Sequence, residues 1–180
     1  MEDATVARAR AGERAAAGRL YECYRERIFR YLYYRVGDAQ TAEDLTEDVF
    51  IRMMRALPRY RQQQGTFQAW LFQIARNLAT DHFRRASRRQ HVALSSSLPS
   101  RAQSPEAAAA RSLDSDLLRR ALQELTEAQA EVVILRIVME MPIAEVAAAV
   151  GRSENAVKGL QRRGLEALRD VLAEWGVSND

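Results

Sequence analysis

The sequence predicts an all-α protein of two small helical domains joined by a flexible linker, the second domain containing a helix-turn-helix. Three observations predict it. Ala, Arg, Leu and Glu dominate while Gly and Pro are scarce, and no strand-length runs of β-branched residues occur. Apolar residues recur at three- and four-residue steps in both halves of the chain, the period of a half-buried helix. Between the halves that period vanishes, and Ser95, Ser96, Ser97, Pro99, Ser100, Ser104 and Pro105 supply flexible and helix-stopping residues instead.

Residues 1–19 are Ala- and Arg-rich without a clean apolar face, so they read as an N-terminal extension whose tip frays. Helical order is expected from Leu20, where Leu20, Tyr24, Ile28, Tyr31 and Leu32 mark one buried face ending at Val36, Gly37 and Asp38. Thr41 then reads as an N-cap with Asp44 three residues on, and Leu45, Val49, Phe50, Met53, Met54 and Leu57 form an apolar stripe up to Pro58. The polar stretch 59–66, with Gly65, reads as a loop. A third helix follows from Thr66, with Phe67, Trp70, Leu71, Ile74 and Leu78 facing inward. Its far end is basic, carrying Arg76, Arg84, Arg85, Arg88 and Arg89 against the single acid Asp81.

These helices place the first domain over residues 20–91 and the linker over 92–115. The second domain is expected over 116–175, with a tail at 176–180. Leu117, Leu118, Leu122 and Leu125 open it, and Val132, Val133, Leu135, Ile137 and Val138 lie in the next helix. From Met141 to Lys158 the pattern is that of a helix-turn-helix: Pro142 suits a first helical turn, Val146 and Ala147 face inward, Gly151 makes the turn and Ser153 caps the second helix. Val157, Leu160, Leu165 and Leu168 hold that helix to the core, while Lys158, Arg162 and Arg163 face outward, where phosphates and base edges of a major groove are met. A solvated basic face on an ordinary helical hairpin is the plainer alternative.

Several chemistries are excluded. The only lysine, Lys158, lies in no Gly-rich loop, so a phosphate-binding P-loop is missing, and no other lysine is present for Schiff-base chemistry. His82 and His91 lack a second thiol or clustered carboxylates, so no metal site, no nucleophile pair and no cofactor are expected, and the chain reads as a non-enzyme. The single cysteine, Cys23, rules out an internal disulfide and fits a reducing compartment. With neither a signal peptide nor a span apolar enough for a bilayer, a cytoplasmic protein without membrane insertion is expected. The net charge of +3 argues only weakly for nucleic acid, and codon usage accounts for the excess of Arg over Lys more simply than function does.

Charge distribution says more. Asp38, Glu43, Asp44, Glu47 and Asp48 fall in a stretch without Lys or Arg, giving one helix an acidic exposed face. The next helix begins with aromatics and ends with arginines, which suits a surface that stacks bases and neutralises a backbone. Phe67, Trp70 and Phe72 are equally compatible with a core, and Trp70, spaced with Ile74, reads as core. Acidic and basic surfaces on neighbouring helices suggest two partners.

The string Ala42-Glu43-Asp44-Leu45-Thr46-Glu47-Asp48-Val49-Phe50, followed by Phe67-Gln68-Ala69-Trp70-Leu71-Phe72-Gln73-Ile74-Ala75-Arg76-Asn77, resembles region two of the extracytoplasmic-function (ECF) sigma factors. The stretch from Leu122 through Lys158 to Leu168 resembles region four of the same family. This resemblance implies promoter-specific initiation with core RNA polymerase. Asp44, Thr46, Glu47, Asp48 and Arg52 would meet the β′ clamp helices. Gln62, Gln63, Gln64, Gly65 and Thr66, with Arg76, Asn77, Arg84 and Arg85, would hold the melted minus-ten strand. Ser153, Asn155, Lys158, Gly159, Arg162 and Arg163 would read the minus-thirty-five duplex of promoter DNA while region four rests on the β flap. An anti-sigma factor is a further partner that the family implies. The three glutamines stand where Gly, Asp and Ser are frequent, and Ala156, Gly159 and Leu160 replace the usual Thr, Ser and Arg, which leaves the flipped-base preference and the promoter sequence open. The competing readings are a stand-alone helix-turn-helix regulator and a helical scaffold.

Overall fold

In the computed structural model, residues 2–61, 65–90 and 113–177 are described, and every regular element among them is helical. Gln62, Gln63, Gln64 and almost all of the expected linker lie outside the described residues.

Helix begins earlier than the sequence suggests. Helix α1 spans Glu2–Arg10 and α2 spans Arg14–Val36. Val6, Ala9, Ala16 and Ala17 are buried, and α1 packs on α2 and on the turn that follows α3. Residues 2–19 are therefore a docked part of the first block and not a frayed extension. Their inner face is mostly alanine, which permits close approach but gives little hydropathy contrast to flanking arginines. Arg8 reaches across the break to Glu13, and this hydrogen bond holds the Glu13 carboxyl below the usual carboxylate range.

Leu20, Tyr24, Ile28, Tyr31 and Leu32 are all buried along α2, as their spacing requires. Gly37 ends the helix at φ 81°, a left-handed cap that costs glycine little, and its N–H donates to Tyr33 O at 2.9 Å. Helix α3, Ala39–Ala56, is capped by Asp38 and not by Thr41. The Asp38 carboxylate accepts from Thr41 N at 2.8 Å and from Thr41 Oγ1 at 2.7 Å. Thr41 is already inside the helix and acts as donor, and the stronger anionic acceptor takes the cap. Leu45, Val49, Phe50, Met53 and Leu57 are buried, but Met54 is 48% exposed, one step round the helix from Met53. A 3₁₀ turn, Leu57–Arg59, leads toward α4, Phe67–Gln90, where Thr66 Oγ1 accepts from Ala69 N at 3.2 Å. Phe67, Leu71, Phe72, Ala75, Leu78 and Ala79 fill the inner side.

The second block comprises α5 (Leu113–Gln123), α6 (Glu127–Val133), α7 (Ile143–Val150) and α8 (Glu154–Glu174). Thr126 and Gln129 form a reciprocal capping box at α6. That helix runs on as a π-type turn, Ile134–Val138, whose wider winding rotates Ile137 outward to 47% exposure. Leu165 is likewise exposed at 38%, contrary to its expected core position. Gly164 faces inward in its place: a Cβ there would stand 2.7 Å from Val133 Cγ2 and 3.4 Å from Gln129 Cβ. The bare backbone is what lets α8 lie against α6. Gly164→Val should lower stability by about 2 kcal/mol despite valine's better helix propensity, because overpacking of a tight contact outweighs it. Urea unfolding of the two proteins measures the difference.

The two blocks share one apolar core, with α4 packed on α7. Polar groups also cross between them. Arg76 Nε donates to Glu131 Oε1 at 2.8 Å, Arg35 Nη2 to Glu127 Oε1 at 3.0 Å and Tyr33 OH to Asp116 Oδ1 at 2.8 Å. Burial, reinforced by the Glu131 charge, pushes the Tyr31 phenol well above its ordinary value.

Candidate functional site

Helix α3 turns Asp44, Glu47, Asp48 and Arg52 to solvent, while Glu43 is half-buried. Thr46 departs from expectation. It is only 4% exposed, with its hydroxyl donating to Ala42 O at 2.7 Å, so its side chain is not part of this outer surface. The reason is angular: Thr46 lies four residues from both Ala42 and Phe50, which are buried. Sequence reasoning missed Ile51 and Met54, exposed at 47% and 48%. With Glu47 they form an i, i+4, i+7 row, giving an acidic face with an apolar edge, the composition of a protein-docking surface.

On α4 the positions 66, 70, 73, 77 and 84 share one side by helical spacing. Thr66 and Trp70 are half-buried there, and Gln73, Asn77 and Arg84 are exposed, with Arg85 beside them. Arg84 donates to Asp81 at 2.8 Å, a surface pair that contributes little to stability. Gly65 is exposed at φ 97°, a conformation that bulkier residues rarely adopt.

Trp70 packs against the core, with its ring centroid 4.6 Å from that of Tyr60 and 5.5 Å from that of Phe67. It also lines a pocket of about 580 Å³ with Arg55, Ala56, Arg59, Tyr60 and Arg61. The pocket joins a basic rim to an aromatic floor, the chemistry for a nucleotide with its phosphate. Arg55, Arg59 and Arg61 were not picked out from the sequence, although their crowding just before and at the start of the expected loop was the available signal.

Arg76 is not brought together with Asn77. Successive helical residues point about 100° apart, and Arg76 faces the second block, where Glu131 holds it.

In the second block Pro142 is the N-cap of α7, immediately before its first turn, and Gly151 makes the turn at φ 67°. Ser153 caps α8, its Oγ accepting from Ala156 N at 3.2 Å. Asn155, Lys158, Arg162 and Arg163 are exposed, Gly159 is half-buried, and Val157 is fully buried on the opposite side. Arg162 pairs with Glu166 at 3.2 Å. Arg163 folds back along the helix, with Nη1 3.5 Å from where a Cβ of residue 159 would lie, an ordinary van der Waals distance. No described helix is long and apolar enough to cross a membrane.

Comparison with known proteins agrees with this layout. Residues 20–89 match Sigma-70 region 2, and residues 115–168 match Sigma-70, region 4. The chain is 40% identical over 171 residues to the ECF RNA polymerase sigma factor BldN of Streptomyces coelicolor, covering 94% of this chain and 65% of that one. It thus spans just under two thirds of BldN. It is 34% identical over 181 residues to the ECF RNA polymerase sigma factor SigD of Mycobacterium tuberculosis, covering 97% and 85%. Among solved structures, CnrH in complex with the cytosolic domain of CnrY superposes with a TM-score of 0.72 at 24% identity, covering 94% of this chain and 96% of CnrH. RpoE in complex with the anti-sigma factor NepR, from Bartonella quintana, gives 0.70 at 22% identity, covering 87% and 96%. At those identities the two structures speak for the fold alone.

Proposed function

The chain belongs to the ECF RNA polymerase sigma factors, and from that premise we propose that it directs promoter-specific transcription initiation as a non-catalytic, cytoplasmic subunit of the polymerase. The observation that carries this reading is one fold presenting three different surfaces: the acidic, apolar-edged face of α3, the aromatic and basic side of α4, and the basic outer side of α8. The first suits the clamp of core polymerase, the second an unpaired promoter strand, and the third a duplex groove. In this reading residues 20–91 act as region two and 116–175 as region four, joined through 92–115. Region four rests on the β flap. An anti-sigma factor is the proposed negative partner, of the kind that accompanies RpoE in its solved complex.

Asn77→Ala should impair promoter opening more than duplex binding, because exposed Asn77 shares the strand-facing side with Trp70 and Gln73. Permanganate footprinting of the polymerase complex should show at least about a tenfold weaker bubble, equivalent to loss of one or two hydrogen bonds to the strand. An unchanged bubble would remove Asn77 from the site.

A further inference from the structure

We propose that the basic pocket at the end of α3 is a binding site for a free nucleoside polyphosphate, with Arg55, Arg59 and Arg61 holding the phosphates and the Tyr60 and Trp70 rings receiving the base. The inference goes beyond the sigma-factor reading and does not depend on it.

Charge carries it. No Asp or Glu occurs between Asp48 and Asp81, so the end of α3, the turn after it and the start of α4 hold arginines without acids nearby in sequence. The fold brings none to them either. Arg8, Arg35, Arg76, Arg84 and Arg162 each meet a carboxylate, whereas Arg55, Arg59 and Arg61 have no ion pair among the described residues. Three guanidiniums lining one pocket repel one another, and an anion of matching charge relieves that repulsion. One phosphodiester of a strand brings a single negative charge. The phosphates of a nucleoside di- or triphosphate together bring about three or four, and each guanidinium fork fits a pair of phosphate oxygens.

Shape agrees with charge. The pocket holds about 580 Å³, a volume usual for small-molecule sites. Tyr60 is buried and Trp70 half-buried, with ring centroids 4.6 Å apart, so the aromatic floor is set before a ligand arrives. Stacking on such rings accepts any base. The turn that carries Arg59 is pinned: Leu57 is 1% exposed, Tyr60 N donates to Leu57 O at 3.0 Å, and α1 packs against the turn. A pinned backbone loses less freedom on binding. Every lining residue belongs to the first block, so the free chain presents the site. A smaller pocket of about 220 Å³ beside it, bounded by Gly65, Thr66, Gln73 and Ala148, shares Tyr60, Arg61 and Trp70 but neither Arg55 nor Arg59. The phosphate-binding chemistry is therefore concentrated in the larger pocket.

The test uses the full-length free chain with Trp175→Phe, which leaves Trp70 as its sole tryptophan. Titration with N-methylanthraniloyl-labelled GTP at physiological salt should give saturable energy transfer from Trp70, with a dissociation constant below about 1 mM. Arg55→Ala with Arg59→Ala in that background should weaken binding by at least about tenfold, because two charge-assisted contacts are lost. Arg14→Ala with Arg30→Ala removes the same charge from exposed positions on α2 and should leave binding within about twofold of the parent. Unlabelled GTP should displace the probe, and guanosine, which has no phosphate, should not. Absence of saturable transfer, equal weakening in the two double variants, or displacement by guanosine as effective as by GTP overturns the site. Displacement by a short single-stranded oligonucleotide at a lower concentration than unlabelled GTP requires also overturns it, and assigns the pocket to the strand. No polymerase enters this assay, so a chain that starts no transcripts would overturn the sigma-factor reading and leave the result here standing.

Discussion

Glu47→Arg combined with Asp48→Arg is expected to weaken binding to core polymerase by about a hundredfold or more, near 3 kcal/mol, while the protein stays folded. Both carboxylates are exposed on α3, and the apolar residues that hold that helix, Leu45, Val49, Phe50 and Met53, are untouched. Surface substitutions of this kind change stability by about 0.5 kcal/mol or less. Reversal changes the local charge by four units, from two negative to two positive charges facing a basic partner surface, and like charges brought together across an interface cost several kcal/mol. Ile51 and Met54, beside them, supply the apolar part of the contact. Core affinity is read by a pull-down or a fluorescence titration at fixed salt, with unfolding followed in parallel. Normal affinity in the folded variant would take α3 out of the polymerase interface.

The second large effect is expected on α8. Lys158→Ala should weaken initiation about equally from all promoters, since a compact ammonium meets a phosphate. Arg162→Ala or Arg163→Ala should relax preference at one base pair by about 1–3 kcal/mol, since the guanidinium fork matches guanine. The structure keeps all three outside, with Arg163 folded back along the helix beside Gly159 and Arg162 drawn toward Glu166. The measurement is initiation from a library randomised in the upstream element. If activity and preference are unchanged in all three variants, α8 reads no DNA and the second block is a protein-docking unit.

Most helices were legible because a 3.6-residue apolar period writes the core face directly into the sequence, as Leu20, Tyr24, Ile28 and Tyr31 illustrate. What escaped did so for identifiable reasons. The face of α1 and early α2 is built largely from alanine, which is as common on surfaces as in cores. Asp38 captured the cap from Thr41 because a carboxylate outcompetes a hydroxyl for helix-end donors. The π-type turn after α6 shifted the apparent phase of Ile137, and the inner position assigned to Leu165 belongs to Gly164, a residue without hydropathy signal. Within the site, the outer positions of α3 and α8 followed from spacing, except Thr46, whose four-residue relation to Ala42 and Phe50 was overlooked between its acidic neighbours. The pairing of Arg76 with Glu131 joins residues 55 positions apart. No local pattern carries such a contact.

Run-off transcription with purified core polymerase, with and without this protein, on a library of promoter sequences decides whether the chain acts as a sigma factor. Transcripts are expected only when the protein is present, from templates sharing an upstream and a downstream element, with loss of signal in the Glu47→Arg, Asp48→Arg variant. Absence of protein-dependent transcripts from every template, with duplex binding retained, would contradict that role and leave a stand-alone helix-turn-helix regulator.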